Sequence, residues 1–180
     1  MNLSDAYLNH LVLYIKSRDE DKHTLRLFLD YWFAYNQGGP FLNRNGKPRW
    51  FNNPDPKKNS VRDALLSMHF ISKNAMETIQ GKRNDRLIKE HSIPIAEIFN
   101  ILHSRTDHSR DQIRDSLEKF YRLGVLTEEE DLRLNKIFKS KMPPGWTTKD
   151  GVFARYDAIG IKNFYKEEQE RFHSTSSPSL

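Results

Sequence analysis

Cysteine is absent from this sequence of 180 residues. Its absence excludes disulfides, thiolate nucleophiles and cysteine-ligated zinc, so any metal site has to be built from His, Asp or Glu. The chain also lacks an apolar run long enough to cross a bilayer. Its first ten residues have neither the basic start nor the apolar stretch of a secretion signal. From these absences we expect a cytoplasmic protein that makes no contact with a membrane.

Apolar residues are scarce as well. They make up 37% of the chain, against 29% charged residues, while Phe, Tyr and Trp contribute 12%. The bulky aromatic side chains provide enough core material for a globular fold, and the length suits one domain better than two. We therefore expect a single helical domain over residues 1–172. A disordered tail is expected over 173–180, because that segment has nothing to bury.

Apolar residues recur at helical spacing along most of the chain. The pattern predicts a mainly α fold, a single-domain bundle of about seven helices, over residues 4–16, 20–37, 61–80, 94–103, 110–123, 128–140 and 162–173. Capping signals agree with several of these bounds. N-caps are expected at Ser4, Ser60, Ser109 and Thr127, and stops at Gly38, Gly81 and Gly124.

Residues 142–156 differ in character from the helical segments. Pro143, Pro144 and Gly145 end the preceding helix, and Asp150-Gly151 stands between two short β-prone runs. An Asp-Gly pair in that position is typical of a tight hairpin turn. The pattern predicts a small β-hairpin over residues 146–154.

The segment 41–60 holds most of the net charge of the chain. It carries five cations and one acid, which is +4 of the total of +5. Five Asn, three Pro and one Gly predict a long irregular loop, and loops of this length are usually functional. Cations can follow phosphates while aromatic rings stack on bases. The loop therefore predicts a nucleic-acid partner, bound by Arg44, Lys47, Arg49, Trp50, Lys57 and Lys58.

Residues able to do chemistry concentrate between positions 86 and 111. The sequence Glu90-His91, followed by Pro94, resembles the opening of the His-metal finger nucleases of the HNH type. That resemblance implies that His91 activates a water molecule, with Glu90 beside it and a divalent metal ion at the phosphodiester. Apart from the metal ion that this resemblance implies, we expect no cofactor and no metal site.

The spacing from Arg86 to His91 resembles a different family, the all-helical HEPN ribonucleases. That resemblance implies that His91 polarises the ribose 2′-hydroxyl and that Arg86 binds the phosphate. HEPN sites are commonly built across two chains, so a homodimer is among the expected partners.

Two non-catalytic interpretations stay open. In the first, Glu90 and His91 only precede the helix at Pro94, where an acid suits the helix dipole. In the second, the helices over 94–140 and the hairpin follow the element order of a winged helix-turn-helix, a DNA-binding module. The acids at positions 128–131 would then face phosphates, which disfavours the usual docking.

Short stretches also show a faint similarity to small bacterial toxin and effector proteins of phage-defence or mobile-element loci. They are KEHSIP from Lys89, TEEEDLRLN from Thr127, MPPGW from Met142 and ARYDAIGI from Ala154. Our leading hypothesis is a nucleic-acid-directed effector, an RNA-cleaving toxin restrained by an inhibitory protein or RNA and acting on RNA rather than DNA. The alternative is a non-catalytic module that binds nucleic acid or a protein.

Overall fold

The computed structural model describes residues 2–49 and 54–161. In this part of the chain there are eight α-helices and one three-stranded sheet, which confirms a mainly α fold with a small β element. Trp50, the predicted helix over 162–173 and the predicted tail over 173–180 lie outside the described residues. The helices are α1 (Leu3–Ser17), α2 (Lys22–Gln37), α3 (Asn59–Leu66), α4 (Lys73–Ile79), α5 (Ile95–His103), α6 (Arg110–Phe120), α7 (Glu128–Ile137) and α8 (Ala154–Ala158).

The strands are β1 (Phe70–Ile71), β2 (Leu87–His91) and β3 (Leu123–Thr127), in the spatial order β1-β3-β2. The central strand β3 pairs in parallel with β1 and antiparallel with β2, where Leu87 lies opposite Thr127 and His91 opposite Leu123. All five residues of β3 are buried. The sheet is thus the middle layer of the molecule.

Each face of the sheet packs against helices. Leu87, Leu123 and Val125 face a large core shared with α1, α2, α5 and α6. Residues of the opposite parity, such as Leu126, face a smaller core with Leu134 of α7 and Tyr156 of α8. Because strand side chains alternate between faces, neighbouring residues of β2 belong to different cores.

The single helix predicted over 61–80 is wrong: this segment forms α3, β1 and α4. Its apolar stripe is buried throughout, yet the helix ends after Leu66 because Phe70 and Ile71 pair with β3. Ser72 then starts a new helix by accepting a hydrogen bond from the backbone N–H of Ala75. The same apolar residues can be buried by one long helix or by a helix–strand–helix unit, so their spacing did not distinguish the two.

Gly124 was expected to end a helix, but it lies inside β3. An added Cβ there would come within 2.4 Å of the Phe70 ring. Only glycine lets the ring lie over the central strand, which is a known reason for glycine inside a strand. The capping box of Thr127 and Glu130 is confirmed, whereas α1 is capped by Asn2 instead of Ser4, and α3 lacks a side-chain cap.

The hairpin predicted over 146–154 is not formed: this segment contains turns, and the strands lie elsewhere. Asp150 accepts hydrogen bonds from the backbone N–H and the hydroxyl of Thr147, which folds the Asp-Gly pair into a local turn. The element order of a winged helix-turn-helix is therefore missing at this point. No described helix is long and apolar enough to cross a membrane.

Candidate functional site

The first half of the basic loop is a tight turn anchored in the core. Leu42 and Pro48 form an antiparallel bridge, and the backbone of Asn43 pairs with Lys47 at 2.8 Å. The Asn43 side chain accepts hydrogen bonds from the N–H groups of Asn45 and Lys47, as Asn does in many turns. Fully buried Phe41 fixes the base of the turn. Arg44 and Lys47 lie exposed at its tip, and Arg49 is half-buried.

The second half of the loop leads into α3. Asp55 accepts a hydrogen bond from the backbone N–H of Lys57 at 3.0 Å, which turns the chain into the helix. The side chains of Lys57, Lys58 and Arg62 are exposed as a result. Arg62 donates a hydrogen bond to the neutral side chain of Asn59.

Asp55, Lys57 and Arg62 line one part of a groove of about 530 Å³. The rest of its wall comes from the end of α4 and the turn before β2, over residues 78–85. We call this feature the basic groove; its polar lining residues are Asp55, Lys57, Arg62, Thr78, Gln80, Arg83, Asn84 and Asp85. Two segments that are distant in sequence thus meet around one opening.

The acids of the basic groove are already engaged. Asp85 accepts hydrogen bonds from Arg83 at 2.5 Å and from Thr78 at 3.1 Å, and the Arg83 hydrogen bond helps to lower the pKa of its carboxyl. Lys57, Lys58 and Arg62, by contrast, make no salt bridge within residues 2–49 and 54–161. The groove therefore has a surplus of positive charge on its loop side.

Arg86 lies just beyond the groove, at the start of β2. Its guanidinium donates a hydrogen bond to Glu128 at 2.6 Å, and both side chains are about half exposed. The backbone N–H of Glu128 also donates to the carbonyl of Arg86 at 2.8 Å. These two contacts join the start of β2 to the start of α7.

His91 lies at the other end of β2, in the large core. Only 5% of the residue is exposed, and its Nε2 is 3.3 Å from Oδ1 of Asp30 on α2. Tyr121 donates to the same oxygen at 2.8 Å, and Lys89 donates to Oδ2 at 3.1 Å. We call these four residues the buried network.

The protonation states of the buried network follow from its contacts. Burial raises the pKa of Asp30, but the hydrogen bond and charge of His91, the charge of Lys89 and the hydrogen bond of Tyr121 outweigh it, so that the pKa lies well below its usual range. Asp30 is therefore an ionised acceptor at neutral pH, and Nε2 of His91 is the donor. Burial lowers the pKa of Lys89, although Asp30 opposes this effect. Burial and the charge of Asp30 raise the pKa of Tyr121.

Glu90 faces the opposite side of the sheet. It accepts a hydrogen bond at 2.8 Å from Arg155, whose side chain is fully buried. Arg155 also donates to the carbonyl oxygens of His91, Ser92 and Lys139. This arginine fastens the end of β2 to α8 and to the chain after α7, so its contacts are those of a structural residue.

The three residues predicted to be catalytic are therefore not brought together. Arg86 and His91 lie at opposite ends of a strand, about 16 Å apart along the backbone. Glu90 and His91 point to opposite faces of the sheet, Glu90 towards Arg155 and His91 towards Asp30. The assignment of Arg86, Glu90 and His91 to one reaction stays a prediction, and this geometry gives it no support.

The described residues offer few ligands for a metal ion. Over the described ranges, no three His, Asp or Glu side chains converge in an arrangement that could hold one. Among residues 2–49 and 54–161, the only carboxylate within hydrogen-bond distance of His91 is Asp30, whose oxygens already accept from Tyr121 and Lys89. The divalent ion implied by the HNH resemblance stays a prediction.

Sequence reasoning missed Asp30, Lys89 and Tyr121, and it did not predict that Arg155 is fully buried. Two signals were present. Asp30 is the only charged residue between Leu27 and Asn36, and a lone acid in an apolar helical run predicts a buried partner. Leu87, Lys89 and His91 follow the alternation of a strand, which the neighbouring charges concealed. No protein-family model, curated protein or solved structure matches this chain at a significant level.

Proposed function

We propose that this protein binds single-stranded nucleic acid, RNA in particular, in the basic groove, and that binding does not require cleavage. The observation that carries the proposal is the meeting of Lys57 and Arg62 with Arg83 around one opening. Of the loop cations read from the sequence, Lys57 thereby belongs to a concave surface. A basic groove that follows the phosphate backbone is the common feature of proteins that bind single strands.

The lining offers two kinds of contact. The exposed cations suit phosphates, and each neutralised phosphate of a single strand contributes about −0.7 to the slope of log K against log salt. The exposed amides of Gln80 and Asn84 lie in the same wall and can both donate to and accept from base edges. Single-stranded RNA presents such edges because its bases are not paired.

The buried network supports binding without cleavage. A general base has to come within hydrogen-bond distance of the proton that it removes. His91 is almost fully buried, and its Nε2 donates to Asp30, so this nitrogen has no lone pair for a 2′-hydroxyl. An effector role in a bacterial defence or toxin–antitoxin system, expected from the sequence, is compatible with a protein that blocks RNA by occupying it.

The groove is tested by removing its unpaired charge. We expect the triple variant Lys57→Gln, Lys58→Gln, Arg62→Gln to lower the salt slope for a fluorescein-labelled oligouridine by about 2, since it removes two groove cations and the neighbouring exposed Lys58, each able to neutralise one phosphate. The measurement is fluorescence anisotropy between about 50 and 200 mM salt. The matched control is Lys136→Gln, Lys141→Gln, Lys149→Gln, which removes three exposed lysines that also make no salt bridge among the described residues. Equal slopes for the two triple variants would contradict the proposal.

The same samples test cleavage. We expect the oligouridine to stay intact on a denaturing gel after incubation with the wild-type protein. Cleavage by the wild type that is lost in both His91→Ala and Arg86→Ala would support the ribonuclease prediction instead. Tighter binding of oligothymidine than of oligouridine would replace RNA by DNA as the ligand.

A further inference from the structure

The basic groove contains an acid that phosphate binding does not need. Asp85 lines the groove together with Lys57, Arg62 and Arg83, and 30% of its side chain is exposed. A carboxylate repels the phosphates of a nucleic acid. A strand held through its phosphates alone would therefore bind more tightly without Asp85.

The protein uses only one oxygen of this carboxylate. Oδ2 of Asp85 accepts hydrogen bonds from Nε of Arg83 at 2.5 Å and from the hydroxyl of Thr78 at 3.1 Å. Within residues 2–49 and 54–161, no side chain or backbone group donates to Oδ1. An ionised carboxylate accepts hydrogen bonds through both of its oxygens. Oδ1 therefore keeps its capacity to accept a hydrogen bond from a ligand in the groove.

Asp85 is also held in place and charged. The Arg83 hydrogen bond is the main cause that lowers the pKa of its carboxyl, so Asp85 is ionised at neutral pH. Thr78 is buried near the end of α4, and its hydroxyl ties the chain just before β2 to that helix. A group that is fixed before binding loses little entropy when its ligand arrives.

A single free oxygen suits a ligand group with a single donor. The 2′-hydroxyl of ribose has one O–H group, and each ribose lies beside a phosphate that the groove cations can bind. Guanine fits less well, because the two adjacent N–H groups of its Watson–Crick edge match both oxygens of a carboxylate, and Arg83 and Thr78 already occupy Oδ2. The amides of Gln80 and Asn84 in the same wall can donate to the oxygen of the hydroxyl. The lining therefore matches the 2′-hydroxyl both as a donor and as an acceptor.

We propose that Oδ1 of Asp85 accepts a hydrogen bond from the ribose 2′-hydroxyl of a strand in the basic groove, and that this contact distinguishes RNA from DNA. The inference rests on the proposed function, because it names the group of the strand that this groove selects. A hydrogen bond to an ionised acceptor is about twice as strong as one between neutral groups. A deoxyribose strand has no donor at this position, so Asp85 only repels its phosphates.

The test is fluorescence anisotropy at one salt concentration, with fluorescein-labelled strands of equal length: oligouridine, its 2′-deoxy form and its 2′-fluoro form. We expect the wild type to bind oligouridine about tenfold more tightly than either of the others. Both of these lack the O–H donor, while the 2′-fluoro form keeps the sugar pucker of RNA. The comparison therefore separates a hydrogen bond from recognition of the shape of the sugar.

The variant Asp85→Asn tests the residue itself. Arg83 and Thr78 would hold the amide oxygen, which leaves the amide NH2 in the position of Oδ1, and an NH2 group cannot accept a hydrogen bond. We expect the preference for oligouridine to fall below about threefold. The matched control is Asp55→Asn, which removes the same charge from the groove lining. Its amide oxygen can still accept from the N–H of Lys57, so this variant should keep the wild-type preference.

The outcomes distinguish this inference from the proposed function. If no strand binds, the proposed function is wrong and the role of Asp85 is lost with it. Equal binding of all three strands by the wild type would leave the binding of single strands intact and overturn the role of Asp85. So would a 2′-fluoro strand bound as tightly as oligouridine, an unchanged preference in Asp85→Asn, or an equal loss of preference in Asp55→Asn. Circular dichroism establishes that each variant is folded before it is compared.

Discussion

The two ends of β2 place charged residues in opposite environments. At the start of the strand, Arg83 and Arg86 form ion pairs at the surface beside the basic groove. At its end, Lys89 and His91 point into the core and meet Asp30 and Tyr121. The charged side chains at the start of β2 are therefore accessible to a ligand, whereas those at its end, five residues later, are buried in the protein.

The energetic consequences differ as much as the environments. An exposed ion pair usually contributes less than about 1 kcal/mol, because water and salt screen it. A buried pair adds little net stability, but removing one partner leaves the other charge without a counterion and costs several kcal/mol. Groove residues are therefore expected to affect binding, and network residues to affect stability.

The test with the largest expected effect replaces the acid that pairs with a cation at each end of β2. We expect Asp30→Asn to lower the free energy of unfolding by about 3 kcal/mol, because Lys89 would keep its buried charge without Asp30. Asp85→Asn breaks the exposed pair with Arg83 and should cost less than about 1 kcal/mol. Urea denaturation at neutral pH, monitored by circular dichroism, measures both. Similar losses for the two variants would show that the contrast between the ends of β2 is wrong.

The pH dependence separates the two ends further. The folded-state pKa of Asp30 lies below its unfolded value of about 3.9, so its contribution is present above that pH and is lost as the pH falls. We expect the stability difference between wild type and Asp30→Asn to shrink between about pH 5 and pH 3. Denaturation curves at several pH values measure it. The pKa of Asp85 is lowered as well, so the difference for Asp85→Asn should shrink in the same direction, but from a smaller starting value. A difference that stays constant across this range would mean that Asp30 is not stabilised as a carboxylate.

Helix positions were the easiest part of the fold to predict. The segments α2, α5, α6 and α7 have regular apolar spacing, and α6 and α7 also have the predicted N-caps, Ser109 and the capping box of Thr127 and Glu130. The sheet could not be seen in the same way. Its strands are short, and β1 lies inside a helical stripe. β2 has no alternation of apolar and polar residues, because Lys89 and Glu90 follow two apolar residues and pair with Asp30 and Arg155. Pairing between distant segments leaves no local periodicity.

The candidate site, like the fold, could be predicted from the sequence only in part. The cations of segment 41–60 were visible from composition, and their place in an irregular loop followed from the Asn and Pro content. That Lys57 would meet Arg83 depends on how α3, β1 and α4 fold back, which is a tertiary property. The predicted role of His91 depended on spacing alone, and spacing does not reveal that its partner Asp30 comes from a helix 61 residues earlier.

The smallest expected effect concerns Arg86, which lies at the boundary between the two ends. A double-mutant cycle with Arg86→Gln and Glu128→Gln should give a coupling energy below about 1 kcal/mol, because both side chains are about half exposed. For oligouridine, Arg86→Gln should change the salt slope by no more than about 0.7, the value of one phosphate contact. A larger coupling energy in urea denaturation would place Arg86 with the buried network. A larger change in slope, measured by anisotropy, would mean that the nucleic-acid surface extends past the groove along β2 and includes the arginine first singled out as catalytic.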